Sequence, residues 1–322
     1  MYHPMKATAS STPARRAAPR GAALDPIFRA LCFSAATALL CALGGVLIAL
    51  AIGGWPAFAR FGIGFFFSAE WNPVTEVYGA AGPILGTLIT AILSLAIALP
   101  LAFGVAVFLT EFCPRPLRRP IGIAVELLAG IPSIVYGMWG LFVFAPLFAK
   151  FVQVPLMLAA PPGSILEKLV AGIPNGANIL TASIILAIMI LPYMAATLRE
   201  LFLTLPPRVR ESAYGIGATP LEVVRSVTLP YVRRSAIGAV MLGLGRALGE
   251  TMAVTFVIGN SHGFPHSLFD SGSTIASTIA NEFAEASTEM HSAALIALGL
   301  VLFLITFTVL ALARALLGRN AH

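Results

Sequence analysis

The sequence predicts an all-α integral membrane protein with six transmembrane helices, and three observations carry that prediction. Of the 322 residues, 58% are hydrophobic and 11% charged, whereas soluble domains carry about 25% charged residues. Six apolar runs are long enough to cross a bilayer, which takes about 20 residues each. They lie near 27–52, 83–110, 121–150, 179–203, 236–258 and 291–314. The third observation is the uneven spread of Lys and Arg over the connecting segments. The N-terminal flank, the 111–120 loop, the 199–235 loop and the C-terminal end hold sixteen of the twenty, and the opposite side holds Arg60, Lys150 and Lys168. By the positive-inside rule both termini are cytoplasmic. The net charge of +6 records this topology and gives no reason to invoke nucleic acid.

Residues 1–25 are rich in Ala, Ser, Pro and Arg. They cannot bury a core and read as a disordered basic tail, followed by a membrane domain over 26–316. A transit peptide is the alternative, since no acid precedes Asp25. The run from Ile27 to Ile52 is too long for a signal-peptide core and reads as a retained span. In the third run, Pro132 lies among Gly130, Gly137 and Gly140 and predicts a kink, because proline removes a backbone bond. Such a kink serves a cavity or only packing. The outer segments 53–82 and 259–290 carry Glu70, Glu76, Asp270, Glu282, Glu285 and Glu289. They suit a soluble partner, or are acidic simply because Lys and Arg are excluded there. Cys32, Cys41 and Cys113 have no paired or metal-ligand spacing. His262 and His266 are four apart, but Gly263 and Pro265 argue against the helix a metal site would need. No Gly-rich loop followed by Lys-Ser/Thr occurs, so the chain shows no ATPase of its own.

The cytoplasmic loop 204–235 contains ESAYGIGATPLEVVRSVTLP, Glu211 to Pro230. It predicts two short helices and a sharp turn. Gly217 suits a left-handed C′ position. Thr219 as N-cap, Pro220 at N1 and Glu222 at N3 form a capping box. Glu211, Ala213, Gly217, Val227, Leu229 and Pro230 fall in the register of the Glu-Ala-Ala loop of ABC-importer permeases. Ser212 stands where that pattern has Ala, and Val227 where it usually has Ile. The resemblance implies that this segment docks into an ATPase subunit.

Arg246 and Glu250 lie in GLGRALGETMAV, inside the fifth run. A charge at the centre of a spanning helix costs roughly 2.5–3.5 kcal/mol, so it marks a pathway by default. Spacing of four puts both on one helix face, where they can pair. Arg246 has the planar donors to meet an oxyanion; an internal salt bridge that locks packing is the alternative. Small residues at Gly238, Ala239, Gly243, Gly245, Ala247 and Gly249 allow close helix approach.

GLGRALGETMAVTFVIGN at 243–260, NEFAEA at 281–286 and LLAGIPSIVYGMWGLF at 127–142 resemble the permease subunits of the bacterial phosphate ABC importer, over roughly residues 60–316. The resemblance implies a type I importer permease fold in the bacterial inner membrane. It implies a role for Arg246 and Glu250 in phosphate translocation. The implied partners are a sibling permease subunit, two copies of an ATPase subunit and a periplasmic phosphate-binding protein. This chain itself would be non-catalytic and bind no cofactor, ATP and Mg acting on the partner ATPase. Other cargoes (sulfate, molybdate, phosphonate) stay open, as does a stand-alone channel or secondary transporter.

Overall fold

The computed structural model describes residues 25–319. The expected basic tail falls on residues outside this range, apart from Asp25. The chain divides into two units after Ala49. The first holds the beginning of helix α1 (Asp25–Phe61), an apolar stretch that opens on Asp25. An acid suits the positive end of the helix dipole.

The second unit contains the last turns of α1, the short α2 (Gly64–Phe67) and a hairpin of β1 (Trp71–Asn72) and β2 (Val77–Tyr78). Trp71 pairs with Tyr78 and Asn72 with Val77. The Asn72 side chain accepts from the amides of Val74 and Thr75 and so closes the turn. Helix α3 (Ala81–Val107) follows and ends in a π-helical turn, Phe108–Phe112. Next come α4 (Arg115–Ala129) and a helical stretch of α5 (Ser133–Trp139), α6 (Ala145–Phe148) and α7 (Val154–Ala159), joined by π-helical turns. Short α8 (Ile165–Val170) leads to α9 (Ile179–Leu203). Then come α10 (Pro207–Gly215), α11 (Pro220–Val223), α12 (Leu229–Leu248), α13 (Met252–Val257), α14 (Ile275–Glu282) and α15 (Glu289–Arg319).

Helix α9 is the axis of the main core. Asn178 caps it by accepting from the Thr181 amide at 2.8 Å. Its Ile185, Leu186, Ile190, Met194, Leu198 and Phe202 are buried. Helix α3 lies along it and presents Ala91, Ser94, Ala98, Ala102 and Ala106, all fully buried. Steps of three and four keep these small side chains on one face. Association in lipid gains little from hydrophobicity, so close backbone approach across such a face carries the packing.

Among the described residues, five helices are long and apolar enough to cross a membrane: Asp25–Phe61, Ala81–Phe112, Ser133–Ala159, Ile179–Leu203 and Glu289–Ala315. Two expected runs differ. The stretch expected at 121–150 is divided, with α4 ending at Ala129 and the long helix beginning only at Ser133. Pro132 is extended (φ −57°, ψ 136°) and serves as N-cap of α5. The chain therefore breaks at this proline rather than bending through it, and α4 becomes a separate helix against α9. The stretch expected at 236–258 is likewise interrupted at Gly249–Thr251, between α12 and α13.

The two interrupted regions pack together. A β-carbon added at Gly137 of α5 would lie 2.9 Å from Phe256 and 3.0 Å from the Ala253 Cα of α13. Replacing Gly137 by Val should therefore destabilise the protein by about 1–3 kcal/mol through overpacking. Chemical unfolding in detergent checks this; an unchanged midpoint would show that α5 and α13 separate freely.

Candidate functional site

Arg246 occupies the last turn of α12. Its guanidinium lies over the Tyr193 ring of α9, 5.6 Å from the centroid. Aromatic faces attract guanidinium cations, so Tyr193 partly compensates the half-buried charge. The Arg246 Nε is buried and has no hydrogen-bond partner. Arg246 borders a cavity of about 710 Å³ between α9, α12 and α15, together with Arg314, Thr197, Ser235 and Thr306. The remaining lining is apolar or glycine, and no carboxylate contributes to it. The cavity is therefore cationic, with hydroxyl groups beside the two arginines.

Glu250 does not pair with Arg246. The helix has ended at Leu248, so four residues of separation no longer place the two on one face. The Glu250 Oε1 instead accepts from the Ala253 amide at 3.2 Å, satisfying a donor at the start of α13. Tyr136 of α5 lies within electrostatic reach of Arg246. Its hydroxyl donates to the Leu128 carbonyl across the other interruption.

The segment Glu211–Pro230 forms two short helices. Gly217 adopts φ +90°, the conformation its place after α10 requires. The Gly217 amide donates to the Tyr214 carbonyl and the Ala218 amide to the Ala213 carbonyl, the double closure of a Schellman turn. Thr219 and Glu222 form the capping box on α11. Glu222 is held below its ordinary value of 4.5 by the backbone and then the hydroxyl of Thr219. Glu211, Gly217 and Pro230 are exposed, whereas Ala213, Val227 and Leu229 are half-buried. Val227 belongs to a π-helical turn, Val224–Thr228, that runs directly into α12 at Leu229. The segment is thus continuous with the helix that carries Arg246.

A second polar cluster joins the hairpin to the later segments. Glu282 Oε2 accepts from the Trp71 indole at 2.6 Å and lies 2.9 Å from His291 Nε2. Its Oε1 lies 2.9 Å from His262 Nε2. The Trp71 ring stacks on His262, and Tyr78 stacks on His291. His266 is elsewhere, its amide donating to Asp270, so His262 and His266 share no site. Sequence reasoning singled out neither this cluster nor Arg314 and Tyr193. Arg314 was visible only as one of the basic residues at the C-terminal end.

Several apolar helices, two of the helical runs broken beside a semi-buried arginine, define a multi-pass membrane protein with an arginine-lined cavity. The family described as "Binding-protein-dependent transport system inner membrane component" matches residues 98–321. The chain is 54% identical over 303 residues to the phosphate transport system permease protein PstC of Mesorhizobium japonicum, covering 93% of this chain and 92% of that protein. It is 53% identical over 279 residues to the protein of the same name from Haemophilus influenzae, covering 86% and 88%. The chain therefore belongs to the binding-protein-dependent inner-membrane component family, and within it to the PstC permeases. A chain of the crystal structure of a bacterial ABC transporter involved in import of the acidic polysaccharide alginate shares the fold. The TM-score is 0.61 at 16% identity, covering 92% of this chain and 97% of that one.

The Glu282 cluster predicts a pH response. Burial raises the Glu282 carboxyl, but the bonds from His262, His291 and Trp71 outweigh it and hold the group below its ordinary value of 4.5. A carboxyl lowered on folding binds fewer protons folded than unfolded, so its stabilisation is present above pH 4.5 and fades as pH falls through the folded value. In a variant retaining Trp71 as the only tryptophan, its fluorescence should hold down to pH 4.5 and change below. Glu282→Gln should remove that transition. Removing the carboxylate should also cost about 1–3 kcal/mol, because buried donors lose their acceptor. A Trp71 transition that survives in E282Q would assign it to another group.

Proposed function

We propose that this chain is the transmembrane permease subunit of an ATP-driven phosphate importer, forming half of the translocation pathway. The observation that carries the reading is 54% identity, over 93% of the chain, to a phosphate transport permease. The chain crosses the bacterial inner membrane six times, with both termini cytoplasmic. The fifth crossing is α12 and α13 taken together. The membrane domain spans 26–316.

A periplasmic binding protein delivers phosphate to the outer segments. A sibling permease subunit completes the pathway. Two ATPase subunits engage Glu211, Ala213, Gly217, Val227, Leu229 and Pro230, within the cytoplasmic loop 204–235. The ATPases hold ATP and Mg; this chain binds no cofactor, carries no metal site and is not catalytic. Transport proceeds by alternating access.

Phosphate enters as an anion, and moving an anion out of water is costly unless it meets compensating charge. Arg246 supplies that charge at the pathway, as a forked donor matched to an oxyanion. Glu250 acts differently from a counter-ion. By capping α13 at Ala253 it fixes the interruption that leaves Arg246 at the end of α12. The anion meets the unfilled Nε–H of Arg246, with Arg314 lining the same cavity.

The test is uptake of labelled phosphate by cells that lack their own high-affinity system and express this chain with its permease, ATPase and binding-protein partners. Saturable uptake indifferent to sulfate and molybdate is expected. Inhibition by either competitor would move the cargo to another oxyanion. Arg246→Gln should reduce uptake to background while the complex still assembles, and persistent uptake would remove Arg246 from the pathway. Loss of residues 211–230 should abolish uptake, whereas a stand-alone channel would tolerate it.

A further inference from the structure

Glu111 is the most enclosed carboxylate that the reading above leaves without a role. It lies in the π-helical turn Phe108–Phe112 that finishes α3, and its side chain is 3% exposed. Two residues of α10 meet it, and Arg118 of α4 lies near one of them. The Arg210 Nη2 of α10 is 3.3 Å from Glu111 Oε1. The Tyr214 hydroxyl of α10 donates to Glu111 Oε2 at 3.0 Å. Arg118 of α4 lies within electrostatic reach of Tyr214 and donates to the Cys113 carbonyl just beyond the turn. Arg210 also donates to the Phe202 carbonyl at the end of α9. One carboxylate thus joins the first helix of the exposed knob to the end of the helix that lies along α9.

We propose that Glu111 is a positioning residue that passes movement of α10 to α3, and so links the ATPase-docking segment to the membrane core. Three features support this. Two side chains one turn apart on α10, Arg210 and Tyr214, converge on a single carboxyl group, so movement of α10 bears on Glu111 at two points. Enclosure keeps water and salt from screening the pair. The Tyr214 phenol is raised above its ordinary value, by burial first and then by Glu111, so it remains a neutral donor to the carboxylate. By contrast, Ser212 donates to Arg208 and Thr219 to Glu222, bonds that stay within the knob. Sequence alone gave Glu111 no distinction, since it borders a basic loop where an acid reads as an ordinary surface charge.

The inference rests on Glu211–Pro230 being the ATPase-docking segment. Its test uses the complete importer (this chain, the sibling permease, the ATPase and the binding protein) in proteoliposomes, with phosphate uptake and ATP hydrolysis measured on the same vesicles. Uptake with hydrolysis in the unmodified complex establishes the importer reading, and its failure would fall on that reading. Glu111→Gln keeps shape and an acceptor for Tyr214 but removes the charge. The phosphate moved per ATP should fall roughly fivefold or more, with hydrolysis retained. Tyr214→Phe should lower the same ratio by less. The double variant E111Q/R210Q should be no worse than E111Q alone, because residues acting as one unit are not additive. An unchanged ratio in E111Q, at full or reduced hydrolysis, overturns the proposal, and so do additive losses in the double variant. Should E111Q not assemble, Tyr214→Phe decides by the same ratio.

Discussion

A backbone amide or carbonyl opened inside a bilayer must find a partner within the protein, because hydrocarbon offers none. The two interrupted helical regions show how this chain meets that constraint. At the first, the Tyr136 hydroxyl reaches back to the Leu128 carbonyl. At the second, the Glu250 carboxylate takes the Ala253 amide. A third irregular stretch is closed by Gln153, fully buried, which donates to the Ile173 carbonyl and accepts from the Gly176 amide. Side chains thus replace the bonds that regular helix would supply. A carboxylate is a stronger acceptor than a neutral group, and this gives a physical reason for an acid at position 250 that needs no opposite charge beside it. The interruptions also depend on each other, since α13 packs against α5 at Gly137.

Around these irregular parts the core is built on regular packing. Helix α9 supplies the large side chains and α3 the small ones, so the two approach closely without needing polar contacts. That packed pair is the surface on which Arg246 is placed. Tyr193 is on α9, and the cation held over its ring is set by where α12 ends. Arg246 is thereby placed by two elements of different character: a buried, well-packed helix and a helix end that is already open. A charge at the end of an interrupted helix faces a smaller desolvation problem than one in mid-helix, because the adjoining backbone is polar.

Much of the helical layout was legible from composition and run length, since apolar stretches of membrane length leave few alternatives. The knob was legible too. Gly217, Thr219, Pro220 and Glu222 act locally, and local turn chemistry is what a sequence states most directly. The interruptions were harder. Pro132 announced a disturbance, but whether a proline bends a helix or ends one depends on what lies nearby to accept the freed groups. The Arg246–Glu250 spacing misled for the same reason: the four-residue rule assumes continuous helix, and Gly249 ends it. The site partners that escaped sequence reasoning, Tyr193 and Arg314 beside Arg246 and the Trp71, His262 and His291 around Glu282, are brought together only by tertiary folding. No periodicity encodes them.

Helix α3 gives these separate features a common frame. Its 27 residues span about 40 Å at 1.5 Å per residue. Immediately before it, Trp71 and Tyr78 join the Glu282 cluster. Near its start, the Thr87 hydroxyl accepts from the Ile275 amide of α14, the helix that ends in Glu282. Immediately after it, Glu111 holds Arg210 and Tyr214. Helix α3 is packed along α9 and carries Pro100 in its interior, with the contacts of Glu282 just before it and those of Glu111 just after it. Charge placed at the ends of the element, and small apolar residues along its middle, reconcile the two demands on it. The middle must lie in hydrocarbon against α9, while the ends must grip polar segments that come from distant parts of the chain.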